Sequence, residues 1–177
     1  MKDALAIHRA LLEWETVHEI VRLPSALANA DELPAVLGLP AARCLVTRVY
    51  ACDDVRPGHR FLAGVIVRAG ERPSPEAVRL AAGARAVRPA HDDVVNAVTE
   101  YAANLVCPLL LPDDMLLLID QHIVDAVPED DVVYTATGEP STALGIRART
   151  LHTLCQAKPA DLRLPSSETR EPHHPAA

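Results

Sequence analysis

Residues 104–142 read NLVCPLLLPDDMLLLIDQHIVDAVPEDDVVYTATGEPST. A short apolar loop, Asn104 to Pro108, comes first, and Met115 to Asp120 follows as an apolar run of strand length that closes on an acid. A second run, Val132 to Thr137, ends in the turn cluster Gly138-Glu-Pro-Ser-Thr142. Apolar runs this short, bounded by Gly, Pro and Asp, predict strands buried on both faces. One more strand then leads into a closing helix, Leu151 to Cys155. Strands and helices connected this closely predict an α/β or α+β fold around one mixed, largely buried sheet flanked by helices.

The first half agrees. Ala4, Ile7, Leu11 and Trp14 recur at helical spacing, giving one apolar stripe on an N-terminal helix. His18 to Leu23 is strand-like and stops at Pro24. Asp31 is placed to cap a short helix with Pro34 in its first turn, and Gly38 closes it. Arg43 to Tyr50 and Phe61 to Arg68 predict two more strands. Ser74-Pro75 opens a helix that Gly83 ends. Ala84 to Arg88 predicts a short strand, and His91 to Ala103 a helix whose acidic first turn suits the helix dipole. From Lys158 the composition turns to Pro, Ser, Glu and His without periodicity. The reading is therefore one domain over residues 1–157 and a disordered tail over 158–177.

At 177 residues and 49 % apolar composition the chain can bury a sizeable core, built from Ala, Val and Leu because aromatics are only 3 %. No apolar run approaches membrane-spanning length, and the N-terminus lacks a secretory apolar region, so a cytoplasmic protein is expected. Cys44, Cys52, Cys107 and Cys155 form no C-x-x-C pair and read as reduced core residues, with no metal site. Charge is uneven. Residues 43–88 hold nine arginines and four acids, net +5, whereas residues 89–146 hold eleven acids and no Lys or Arg, net −11. This asymmetry suggests one lobe able to approach phosphates, against the plainer reading of solvated arginines.

The order of these elements resembles the YbaK and prolyl-tRNA synthetase-associated domain family over roughly Ile7 to Cys155. The resemblance rests on His18-Glu-Ile-Val21, Val36-Leu-Gly-Leu-Pro40, the strand Arg43 to Tyr50, Pro108, Ile119-Asp120, Gly138 and the terminal helix. It implies a YbaK-like fold and an aminoacyl-tRNA deacylase that hydrolyses the ester of mischarged tRNA without a cofactor. Implied partners are the aminoacyl 3′ end of tRNA and an aminoacyl-tRNA synthetase, with no role for DNA or membrane. The lysine that the family carries in its strand maps onto Val46, with Thr47 kept, and the only lysines here are Lys2 and Lys158. The family's glycine-to-proline loop becomes Asn104 to Pro108. Asn tolerates a left-handed backbone best among non-glycine residues, which would preserve the loop.

The candidate catalytic positions are Asn104 and Gly138, which the resemblance implies, and Arg48, which strand alternation places beside Val46. Arg48 projects on the same face as Val46, although a salt-bridge or surface role is the plainer reading of it. Main-chain N–H groups around Asn104 and Gly138 would supply oxyanion donors. Substrate would contact Val46, Thr47, Leu105, Cys107 and Pro108, with Asp120, Ser141 and Thr142 beyond them. Asp120-Gln-His122 invites a general-base reading, but a turn with Asp as cap is the simpler one. Two alternatives to a deacylase stand. One is a catalytically impaired member binding tRNA or protein, and the other an unrelated small-molecule enzyme on this scaffold.

Overall fold

The computed structural model describes residues 1–163. Asp3 caps the first helix, α1 (Ala4–Glu13), by accepting the Ala6 N–H at 2.8 Å. Ala4, Ile7 and Leu11 are buried as their spacing predicts. Trp14 departs from that stripe. It follows the last helical turn and is 45 % exposed. Next come β1 (His18–Arg22) and α2 (Leu33–Leu37), which ends at Gly38 in a left-handed conformation.

A long hairpin follows, β2 (Cys44–Asp53) and β3 (Arg60–Arg68), then α3 (Pro75–Ala82), β4 (Ala86–Pro89) and α4 (Asp92–Thr99). Ser74 caps α3 as predicted. The α4 helix stops four residues short of Ala103 because Glu100 turns left-handed, and a separate 3-10 turn, Ala103–Leu105, takes over. The second half is β5 (Leu116–Asp120), α5 (Gln121–Ala126), β6 (Val132–Ala136), β7 (Thr142–Arg147), α6 (Ala148–Cys155) and β8 (Lys158–Ala160). Among these α5 has no periodic signature long enough to read, and Asp120 caps it.

The expected tail does not begin at Lys158. Residues 158–160 pair in parallel with β5, and Leu162 is 1 % exposed against the core. Proline is tolerated there because β8 is an edge strand. One edge contact and one buried leucine are too little apolar pattern to see in a Pro-rich segment. The remainder of the predicted tail lies outside the described residues.

All eight strands join one mixed sheet in the order β1-β7-β6-β2-β3-β5-β8, with β4 attached to the far end of β2. Because side chains alternate along a strand, Leu45, Ile66, Leu117 and Ile119 pack on one face against α1, α5 and α6. Val46, Tyr50, Val65 and Val67 occupy the opposite face, under α2 and α3. This is the mixed, buried sheet flanked by helices that the sequence predicts.

Candidate active site

A break in the sheet ladder forms the site. Along one side β2 pairs with β3 continuously from Leu45 to Asp53. On its other side β6 reaches only Cys44 and Leu45, and β4 only Tyr50 to Asp53. Residues 46–49 therefore have no strand neighbour on that side. A cleft of about 300 Å³ opens there, walled by residues 29–31, 46–50, Pro89, Ala90, Val95 and the turn at Ala103 and Asn104.

Main-chain groups of successive residues in a strand point to opposite edges. Val49 O accepts from Ala90 N, and Asp53 O from Arg85 N, both on the broken side. Thr47 has the same parity, so its N–H and C=O face the cleft. An inward-facing N–H with no strand opposite is a preset donor for an anionic oxygen. The Thr47 side chain points the other way, with its methyl group against Gly64, and its buried Oγ1 has no hydrogen-bond partner.

Arg48 stands on the cleft wall but is not a free cation. Its Nη1 and Nη2 donate to the two Asp31 carboxylate oxygens at 3.1 and 2.8 Å, and its Nε and Nη2 donate to Glu71 O. The guanidinium thus ties together three segments that are distant in sequence: β2, the turn before α2 and the turn after β3. Asp31 also accepts the Gly70 N–H at 2.7 Å. This overturns the capping role predicted for Asp31. Asn29 instead accepts the Asp31 N–H at that helical start.

Burial by itself would raise the Asp31 carboxyl, but the Arg48 hydrogen bonds, the Gly70 N–H and the charges of Arg48 and Arg72 outweigh it. The net result lies below the ordinary carboxylate value. A folded-state pKa below the unfolded one contributes stability above the unfolded pKa, and that stability is lost as pH falls through the folded value. Denaturant titrations should therefore show the wild type more stable than Asp31→Asn near neutrality. The two curves should converge as pH drops below about 4, the unfolded value for aspartate. Curves that stay parallel into acid would refute this assignment.

Two further groups line the cleft that sequence reasoning missed. Tyr50 is 6 % exposed, and its hydroxyl has no partner among the described residues. Burial raises this hydroxyl above the ordinary phenol value, partly offset by Arg48 and Arg72. It sits two residues beyond Arg48 on the same face, which alternation could have revealed. Arg72 lies at the rim. No local pattern marks it, because a turn after β3 carries it there.

The predicted site residues divide. Val46, Thr47, Arg48 and Asn104 meet at the cleft. Asn104 is exposed and sits in the right-handed 3-10 turn, so no left-handed backbone is needed; the nearest left-handed residue after it is Leu110, beyond the loop, with φ 58°. Leu105 and Cys107 are core residues, 4 % and 0 % exposed, and burial pushes the Cys107 thiol up to about 12. Pro108 lines a separate cleft with Trp14 and Leu111.

Gly138 is buried and donates its N–H to Leu105 O at 2.9 Å, so that amide is spent on the fold and is no oxyanion donor. Ser141 is exposed on the β6–β7 turn, and Thr142 Oγ1 pairs with Thr137 Oγ1 at 2.7 Å, both away from the cleft. Asp120 accepts from the His122 main chain at 3.2 Å and meets His122 Nδ1 at 2.9 Å. It belongs to a cluster with Asp161 and Arg163 at the β5–β8 end. The general-base geometry is thus a capped turn. These groups sit apart because they lie at the β6–β7 turn and at the end of β5, away from the open side of β2.

The basic lobe is mostly ion-paired. Seven of the nine arginines in residues 43–88, namely Arg43, Arg48, Arg56, Arg60, Arg68, Arg79 and Arg88, have a carboxylate oxygen within 4.0 Å. Five of them pair with the stretch's own four acids, and only Arg43 and Arg48 draw an acid from elsewhere, Asp131 and Asp31, so the stretch keeps an excess of positive charge but few free guanidinium groups. The buried cysteines match expectation: burial pushes the Cys44 and Cys52 thiols up to about 11, and no cysteine is paired.

Residues 25–154 match a family model described as an aminoacyl-tRNA editing domain. No curated protein sequence matches this chain. Among solved structures the hypothetical protein APE2540 superposes with a TM-score of 0.72 at 19 % identity, covering 88 % of this chain and 97 % of that one. A protein described as a candidate trans-editing enzyme for prolyl-tRNA synthetase gives 0.70 at 19 % identity, with 89 % and 95 % covered. At such identities the likeness is one of fold.

Proposed function

Because the chain belongs to the aminoacyl-tRNA editing domain family, we propose that it is an aminoacyl-tRNA deacylase whose reaction takes place in the cleft beside residues 46–49. The observation that carries this reading is the unpaired main chain of Thr47, a donor that does not depend on the missing lysine. In the reaction a water oxygen adds to the ester carbonyl carbon. The resulting oxyanion accepts from the Thr47 N–H and from the exposed Asn104 amide at the lip. The bond to the ribose oxygen then breaks and that oxygen takes up a proton, releasing a free amino acid and uncharged tRNA. An aminoacyl ester is already activated, so positioning and oxyanion stabilisation suffice. Each well-placed donor contributes about 2.7–4 kcal/mol in a water-excluded site.

Val46, Ala30, Ala90 and Ala103 make the amino-acid end of the cleft small and apolar, which suits a short side chain. Arg48 acts as a positioning residue, fixing the wall that carries Thr47. The synthetase partnership belongs to the same reading, since a trans-editing enzyme must meet its tRNA before the ribosome does.

Deacylation of a panel of mischarged tRNAs tests the proposal. At least one should be hydrolysed well above the buffer rate. Ala90→Phe, which fills the cleft, should lower that rate about 100-fold, the scale set by misplacing a bound substrate. Its melting temperature should be unchanged. No turnover on any tRNA would reject the enzyme and leave a binding module.

A further inference from the structure

We propose that Arg72 is the phosphate anchor of the cleft and holds the phosphodiester that leads into the reacting terminal nucleotide. This assignment rests on the deacylase reading and gives it a cationic contact that the loss of the family lysine had removed. Two arginines border the cleft and no lysine does. Arg48 is 13 % exposed and committed to Asp31 and Glu71. Arg72 is exposed and, among the described residues, has no carboxylate oxygen within 4.0 Å. It and Arg85 are the two arginines of residues 43–88 left without an acid, and Arg85 lies off the cleft.

The neighbouring chemistry gives Arg72 a direction. Its charge reaches both Asp31 and Tyr50, which line the same wall. Pro73 follows it, and proline restricts the preceding residue to extended backbone, which limits the conformations of the stalk carrying the guanidinium. A planar, permanently charged fork with free N–H groups is suited to two oxygens of one phosphate. An electrically neutral Arg48–Asp31 pair beneath it leaves Arg72 as the cationic feature at the entrance. The cleft then has an anion-binding end at Arg72 and an apolar end at Val46 and Ala30, complementary to the two ends of an aminoacyl nucleotide.

Uncharged tRNA binding, measured across a salt series, tests the contact separately from catalysis. Arg72→Gln should weaken binding about five- to tenfold at low salt, as expected for one charge-assisted contact. It should also reduce the slope of log K against log salt by about 0.7, one single-stranded phosphate contact. In single-turnover deacylation the same variant should raise the half-saturating tRNA concentration by a similar factor and leave the maximal rate within about twofold, the pattern of uniform binding. Arg72→Lys should retain the salt slope and recover part of the affinity. Arg85→Gln should change neither. A wild type that deacylates while Arg72→Gln keeps its affinity and slope overturns the anchor alone. A wild type that neither binds nor cleaves tRNA overturns the anchor and the deacylase together.

Discussion

Gly138→Ala should destabilise the protein by roughly 3–5 kcal/mol, combining overpacking with backbone strain. Two effects act at once. The residue has φ +89°, a region where a side chain is strained, and a Cβ there would lie 2.5 Å from Lys2 O and 2.8 Å from the Tyr101 ring. Neither neighbour can give easily. Lys2 is fixed by its N–H to Glu100 O and by its ammonium to Thr99 O and Leu110 O. Tyr101 is fully buried and donates to Leu109 O at 2.8 Å. At this chain length the melting temperature should fall by about 6–20 °C, since each kcal/mol shifts it about 2–4 °C. A fall below about 2 °C would show that the N-terminal segment moves aside at little cost. Glycine is thus required at position 138 for packing and backbone conformation, and its N–H is already committed to Leu105 O.

The second large effect belongs to the Arg48–Asp31 pair. Arg48→Met keeps the stem and removes the head, leaving the Asp31 carboxylate and Glu71 O without their partner. Breaking one side of a buried ion pair costs about 3–5 kcal/mol, and the low end applies because Asp31 is a quarter exposed. Asp31→Ala should cost less, since Arg48 can turn toward solvent. The double variant should be more stable than the sum of the two predicts, by about 1–3 kcal/mol for groups in direct contact. Equilibrium denaturation of the four proteins measures this. Strict additivity would mean that the pair is a surface contact with no part in shaping the cleft wall. Deacylation should fall with the single variants through misplacement of Thr47. Its loss should therefore track stability, which distinguishes a positioning role from a catalytic one.

Much of the fold was legible because it is local. The stripe of Ala4, Ile7 and Leu11, the cap at Ser74, the glycines at 38 and 83 and the apolar strand runs all act within a few residues. Each obeys a helix or strand period. Legibility failed where a residue answers to distant neighbours. Asp31 looks like a cap, yet a guanidinium seventeen residues away claims its carboxylate. Asn104 looks like a glycine substitute, yet the Leu105 N–H to Ala102 O bond makes its loop a right-handed turn. Lys158-Pro159-Ala160 has the composition of a tail, yet an open edge of β5 accepts it. The arginines of residues 43–88 look free in the sequence, yet seven of the nine meet a carboxylate in space, two of those acids coming from outside the stretch.

The sequence by itself determined the class of fold, the core-facing periodicities, the reduced cysteines and the absence of a lysine from the second strand. Tertiary structure alone decided that β6 and β4 abandon β2 at different points and leave four residues of strand without a neighbour. Periodicity records which way a side chain faces, whereas pairing depends on where other strands end, and those endpoints are set by turns far along the chain. The cleft and its unpaired amide follow from that mismatch of strand lengths, and the turn after β3 brings Arg72 to its border.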